Sequence, residues 1–257
     1  MNAVAVVTGG TSGIGEAIVE ALARTGSRVE FCARKRNDVD RHQEQWRAAG
    51  FDVTGTVCDV TDEGTVDRYV RNIVSRNGGI DHLINNAGTS GGGPFDSLPT
   101  EVWHRIMATN CDSVFFMSRA ILRDGGILDS DHGRIVNISS TAGKQGIPLA
   151  APYNASKHAV IGITRSLALE YAKRGVTVNA ICPGYVQTPM ADTVVRRHAE
   201  IADRDFEDVR SDFESKIPIG RYTTAAEVAS FVEYLVRPEA AAITGQAMNV
   251  CGGLGRF

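Results

Sequence analysis

Short apolar, β-branched runs alternate with longer amphipathic stretches from one end of the chain to the other, and few architectures accommodate that rhythm. AVAVVTG precedes EAIVEALARTG, RVEFCA precedes RHQEQWRAAG, VTGTVCDV precedes TVDRYVRNIVSRNG, and DHLINNAG precedes a long segment through FMSRAIL. RIVNISS, a helix around YNASKHAVIGITRSLALEYAKRG, the strand TVNAICPG, the helix AEVASFVEYLV and the strand AMNVCGG complete the series. Strands joined by helices run parallel, so the pattern predicts an α/β fold: a doubly wound, seven-stranded parallel sheet with helices on both faces. In such sheets ligands sit at the carboxyl ends of the strands. Gly26, Gly50, Gly78 and Gly175 fall where helices should stop, as left-handed caps do.

A chain of 257 residues without a recognisable linker is expected to form a single domain spanning 1–257. Its 43% apolar content and net charge of −3 carry no global electrostatic signal for nucleic acid or a membrane surface. The apolar run from Val4 to Val7 has only a strand's length and ends in glycines, unlike a signal peptide, and no segment reads as a membrane span. Cys32, Cys58, Cys111, Cys182 and Cys251 are scattered without CxxC spacing, which argues against a disulfide framework and a zinc site. They are expected to be reduced and mostly buried, in keeping with a cytoplasmic protein.

One stretch breaks the rhythm. From Met190 to about Ile219 the chain is dense in charge, and one or two exposed helices are expected there. Because this insert leaves the sheet at a carboxyl edge, residues 190–217 are expected to act as a lid, with Val194, Val195, Ile201, Phe206 and Phe213 toward the cleft.

The first strand runs directly into TGGTSGIG, with Gly9, Gly13 and Gly15 ahead of a helix. Small residues let the backbone approach a pyrophosphate while the helix amino terminus offers free N–H groups. The spacing G-x-x-x-G-x-G differs from the generic G-x-G-x-x-G fingerprint. A carboxylate at the end of the second strand would suit NAD; here Ala33 is followed by Arg34, Lys35 and Arg36, which suit a 2′-phosphate, so NADP(H) is expected. Glu30, earlier in that strand, has no evident purpose in the sequence. Asp59 and Asn86-Ala87-Gly88 follow the third and fourth strands, in line with an adenine and its ribose, although Asp, Asn and Gly are turn formers in their own right.

Tyr153 and Lys157 stand four residues apart in PYNASK, thirteen and seventeen residues after Ser140. On a helix that spacing shares one face, so the ammonium is expected beside the phenol, favouring its ionised form and making it an acid-base group. Together TGGTSGIG, CDV at 58 to 60, NNAG at 85 to 88, Asn110, Ser140, the Tyr153/Lys157 pair and PGYVQT at 183 to 188 resemble the short-chain dehydrogenase/reductase family along essentially the whole chain. The resemblance implies a Rossmann fold, and it implies roles. Thr11, Ser12, Ile14 and Val60 join the cofactor residues; Pro183, Gly184, Val186 and Thr188 hold the nicotinamide end. Tyr153 protonates the alkoxide, Lys157 lowers its pKa and holds the ribose, Ser140 bonds the substrate carbonyl, and Asn110 anchors a water leading to solvent.

STAGKQG at 140 to 146, GGG at 91 to 93, APYNASKH at 151 to 158, IPIGRY at 217 to 222 and the ending NVCGGLG are most similar to ketoreductases of bacterial aromatic polyketide synthases. That resemblance implies NADPH, a poly-β-ketone substrate on an acyl carrier protein, a homotetramer, no metal, and a substrate pocket formed by Ser90, Gly91, Gly92, Lys144, Gln145 and Met190. Ser90 replaces the proline of well-known relatives. Carrier docking is expected on a basic patch including Arg196, Arg197 or Arg221. A fatty acyl carrier reductase, another alcohol dehydrogenase and, as a non-enzyme, a dinucleotide-sensing regulator are the alternatives.

Overall fold

A computed structural model describes residues 3–255. Its seven strands are β1 (Val4–Thr8), β2 (Arg28–Ala33), β3 (Val53–Val57), β4 (His82–Asn85), β5 (Arg134–Ile138), β6 (Thr177–Pro183) and β7 (Ala247–Val250). They form one parallel sheet in the order β3-β2-β1-β4-β5-β6-β7. The strand order reverses between β1 and β4, and at such a switch point the flanking loops part to leave a crevice.

Successive strand residues feed opposite cores. Ala5 and Val7 pack with α1 (Gly13–Arg24), α2 (Arg36–Ala48) and α9 (Ala225–Leu235). Val4 and Val6 pack with α3 (Glu63–Asn77), α5 (Ser113–Asp124) and the end of α6 (Ala151–Tyr171). Burial on both faces explains why the strands read as nearly continuous apolar runs. The expected caps hold: Gly26, Gly50, Gly78 and Gly175 all have positive φ, from +77° to +88°.

The long segment before β5 is not one helix. It contains α4 (Thr100–Met107), a π-helical turn over Ala108–Asp112, and then α5. The wider turn sets Asn110 fully inside the protein. Glu30 also finds its purpose: buried at 1% exposure, it accepts from Arg76 Nη2 at 2.7 Å and Asn77 Nδ2 at 2.8 Å, tying β2 to the end of α3.

After β6 come α7 (Pro189–Ala202) and α8 (Phe206–Ser215), which pack on each other around Val195, Ala199, Val209, Phe213 and Ile217. The expectation that five apolar residues of this insert face the cleft is corrected here. Val194 and Ile201 border the cleft, whereas Val195 and Phe213 are buried within the insert and Phe206 packs against its core. Two adjoining helices need an apolar seam of their own before they can cover anything else. Among the described residues no helix is long and apolar enough to cross a membrane.

Candidate active site

A cavity of about 690 Å³ follows the carboxyl ends of β1, β4, β5 and β6. At its floor Gly9 (φ +67°) and Gly13 (φ +55°) turn the chain from β1 into α1 through left-handed backbone that favours glycine. Ser12 makes no side-chain cap, so the first amides of α1 are left for a ligand, and Thr11, Ser12, Gly13 and Ile14 all border the cavity.

Gly15 lies behind that wall rather than in it. A methyl there would stand 2.1 Å from the Gly9 carbonyl oxygen and 2.4 Å from Asn86 Nδ2, so a bare Cα is what lets α1 close on the loop. Gly15→Ala is expected to cost about 1–3 kcal/mol of stability by overpacking. Gly162→Ala, mid-helix with nothing within 4 Å of the added carbon, should instead gain about 0.5–1 kcal/mol. Thermal unfolding of the two variants side by side checks both signs.

At the β2 end Arg34 and Lys35 border the cavity, while Arg36 turns 3.9 Å from Asp40 along α2. Asp38, missed in the sequence, also reaches the wall; its Oδ1 accepts from Arg41 at 3.2 Å. Asp59 and Val60 line the adjoining stretch, and Asp59 Oδ1 is already held by Thr61 through its amide at 3.0 Å and its hydroxyl at 2.7 Å. Asn86 stitches β4 to β1, its Nδ2 donating to the carbonyls of Thr8 at 2.9 Å and Gly9 at 3.2 Å. Ala87 and Gly88 continue the wall toward β5. These positions form a cradle that side chains would fill: a carbon added at Gly88 would sit 3.4 Å from Asn110 Oδ1 and 3.5 Å from Lys157 Nζ. The cavity therefore fits a dinucleotide, with its cations at the end a 2′-phosphate would occupy.

Ser140, Tyr153 and Lys157 converge beyond this cradle. Ser140 follows β5, its Oγ accepting from the Ala142 amide at 3.1 Å and close enough to the Tyr153 hydroxyl to favour its ionised form. Tyr153 is half-buried on the first turn of α6. Lys157, one turn on and 5% exposed, places Nζ 5.8 Å from the Tyr153 ring centroid and donates to the Ile138 carbonyl at 2.9 Å. Burial pushes the phenol above its ordinary value, with the Ser140 bond opposing, and burial brings the ammonium down to about 8. The expected lowering of the tyrosine pKa by Lys157 is thus not what this arrangement produces: lost hydration of the phenolate outweighs the other influences.

Asn110 fastens the loop after β4. Its Oδ1 accepts from Thr89 N at 2.8 Å, and its Nδ2 donates to Thr89 O at 3.0 Å and Ser156 Oγ at 3.1 Å. Ser139, adjacent to Ser140, instead braces α6 by donating to the Lys157 carbonyl at 2.9 Å. Pro183, Gly184, Val186 and Thr188 form the far wall, where Thr188 caps α7 and a carbon on Gly13 would come 3.0 Å from its Cγ2.

Under the insert Ser90, Gly91, Gln145 and Met190 border the same cavity. Gly92 and Lys144 leave the expected wall. Gly92 packs so closely on Leu149 that a side chain would meet its carbonyl oxygen at 2.0 Å, and Lys144 Nζ donates to Asn249 Oδ1 at 3.0 Å. Arg105, Arg197 and His198 border the cavity as well; Arg105 had no place in the sequence reading, whereas Arg197, expected on a docking patch, and His198 both belong to the 190–217 lid. Arg197 also donates to the Gly92 carbonyl, joining α7 to the glycine loop. Tyr185 stacks on Phe213 at 5.0 Å and Tyr222 at 5.5 Å, anchoring the insert to the end of β6.

Residues 3–199 match the family described as short chain dehydrogenase. The chain is 49% identical over 254 residues to a Streptomyces violaceoruber protein named as ketoacyl reductase 1 of the granaticin polyketide synthase, covering 99% of this chain and 93% of that one. It is 35% identical to the 3-oxoacyl-acyl-carrier-protein reductase FabG of Escherichia coli K12, covering 98% and 96%. A crystal structure of an actinorhodin polyketide ketoreductase variant with NADPH superposes with a TM-score of 0.97 at 46% identity, covering 100% of this chain and 98% of that one. With that glycine loop, that serine, tyrosine and lysine, and these likenesses over nearly its whole length, the chain belongs to the short chain dehydrogenase family.

Proposed function

We propose that this protein is a single-domain, NADPH-dependent ketoreductase that reduces one ketone of a carrier-bound polyketide to a secondary alcohol. The observation that carries this reading is the meeting of Ser140, Tyr153 and Lys157 where the dinucleotide cradle opens into the wide, lidded end of the cavity. Similarity at about half identity to proteins named as polyketide ketoacyl reductases, and to a ketoreductase seen with NADPH, supports the substrate class and cofactor.

NADPH, when bound, supplies the hydride. The chain's own groups handle the proton. Burial keeps the Tyr153 phenol protonated, and an alkoxide is a far stronger base than a phenolate, so the proton moves from Oη to the new alcohol oxygen. The Ser140 hydroxyl donates to that same oxygen and stabilises its charge as it grows. Lys157, with a pKa of about 8, can return a proton to the tyrosinate near neutral pH. Asn110 is a positioning residue: it holds the Thr89 backbone, and with it Gly88, against Lys157. At the substrate end Arg105 and Arg197 suit the enolate character of a poly-β-ketone, and Met190 and Val194 suit its hydrocarbon face.

Attachment to a carrier protein, a homotetramer and a cytoplasmic location complete the proposal. Of the three arginines considered for docking, Arg221 is held by Glu227 at 2.7 and 3.0 Å and Arg197 reaches Gly92, which leaves Arg196, exposed above the Phe206 ring, as the best placed.

The test is NADPH oxidation, with NADH as control, on a rigid fused bicyclic ketone and on a short acetoacetyl thioester. Faster turnover of the bicyclic ketone with NADPH is expected. Preference for the thioester would point to fatty acyl reduction, and equal use of NADH would remove the role given to Arg34 and Lys35.

A further inference from the structure

At the amino-terminal edge of the sheet, away from the dinucleotide cradle, Arg134 opens β5 with only 2% of its surface exposed. Its Nη1 donates to the carbonyl of its neighbour Gly133 at 2.9 Å, and its Nε has no partner among the described residues. Burial lowers its pKa with no carboxylate contributing. His82 pairs with it across β4 and β5, is 5% exposed, and its ring Nδ1 also lacks a partner among the described residues. Burial is the main cause that brings this imidazole to about 4, so it adds no charge at neutral pH.

Arg134 adjoins a pit of about 330 Å³, whereas His82 stands outside its lining. Arg134, Val176 and Thr177 form its buried floor; His132 and Ala241 stand exposed at the rim with Asp131, the one acidic residue of the lining. A buried guanidinium without a counter-charge is costly, and an unpaired buried donor in a folded protein calls for a partner. The pit is many times the size of one water, and the charge at its floor selects an anion over a neutral guest. Asp131 opposes this from the solvent side, where its field is screened.

We infer that Arg134 is the base of a second ligand site, which takes a small oxyanion, a phosphate or a carboxylate, at the edge of the sheet opposite the cofactor. The planar guanidinium fork matches both ligands. Thr177 adds a hydroxyl from the next strand, and His132 can approach from the rim.

The experiment uses full-length enzyme saturated with NADPH, so that Arg34 and Lys35 are already occupied. The unfolding midpoint is followed against inorganic phosphate and, separately, acetate, each compared with chloride at equal ionic strength. The wild type should gain roughly 3–6 °C at ten times the dissociation constant over what the variants gain. Arg134→Met removes the base of the site, and Ala241→Glu puts a carboxylate at the rim without touching the core; both should lose this extra rise. General stabilisation by phosphate is common to all three proteins and cancels in the difference. A response to phosphate alone or to acetate alone identifies the ligand class. The inference is overturned if the wild type gains no more than Ala241→Glu with either anion, a comparison that holds even if Arg134→Met fails to fold.

Discussion

Tyr153→Phe is expected to lower ketone turnover by roughly 10²–10⁴-fold, the usual worth of a positioned proton donor, while NADPH binds as tightly as before. The substitution removes one hydroxyl and leaves the ring on α6, and Ser140 keeps its bond from the Ala142 amide, so the cavity retains its shape. The loss should fall on kcat and survive saturation with ketone, and cofactor affinity can be read from quenching of protein fluorescence by NADPH. Turnover within a few-fold of wild type would remove Tyr153 from the proposed chemistry. A protein that only senses the dinucleotide would be unaffected by the change.

Lys157→Met should separate stability from activity, with opposite signs. In the folded protein burial brings the ammonium from 10.5 to about 8, a penalty on the charged form of about 3 kcal/mol. Below pH 8 both folded and unfolded chains carry the proton, and the penalty is present in full. Between pH 8 and 10.5 only the unfolded chain holds it, so wild-type stability rises with pH across that window. The variant should therefore be more stable than wild type by about 1–3 kcal/mol at pH 7, less whatever the Ile138 carbonyl loses with its donor, and the advantage should fade by pH 10.5. Tyr153 works the other way, since its raised value makes the folded state hold a proton longer, but only above about pH 10. Turnover should fall by about 10²-fold or more. Urea unfolding at pH 7 and 10 measures the first effect; a variant less stable than wild type at pH 7 would show that the buried ammonium is not under strain.

Local chemistry made much of this molecule legible from its residues. The central strands of the parallel sheet announce themselves because they are buried on both faces, and the four capping glycines because glycine adopts the left-handed turn without strain. The cradle was equally plain, since Gly9 and Gly13 act through their own backbone. What escaped detection depends on partners distant in sequence. Glu30 means nothing until Arg76 and Asn77 stand beside it. The π turn around Asn110 adds a residue to a helical turn without leaving a composition signal. Val195 and Phe213 obey helical periodicity, but periodicity says that a face is apolar and not which surface will meet it. Lys144 and Gly92 sit in the right loops, yet Asn249 and Leu149 draw them off the cavity. Arg105 had no motif to mark it, and Arg197, expected on a docking patch, meets it at the cavity only because α4 and α7 fold over the same opening.

The insert after β6 packs about a small core of its own and meets the rest of the molecule through the Tyr185 stack, Leu254 and Arg197. Its sequence can therefore drift, or be exchanged whole, while the proton-handling groups stay in register, because few of their contacts run through it. In evolutionary terms the chemistry and the choice of substrate are separately inherited: one frame can be refitted to a new ketone by rewriting some thirty residues. Grafting the corresponding segment from a relative with a different substrate is thus a more direct route to a new specificity than point changes around Ser140.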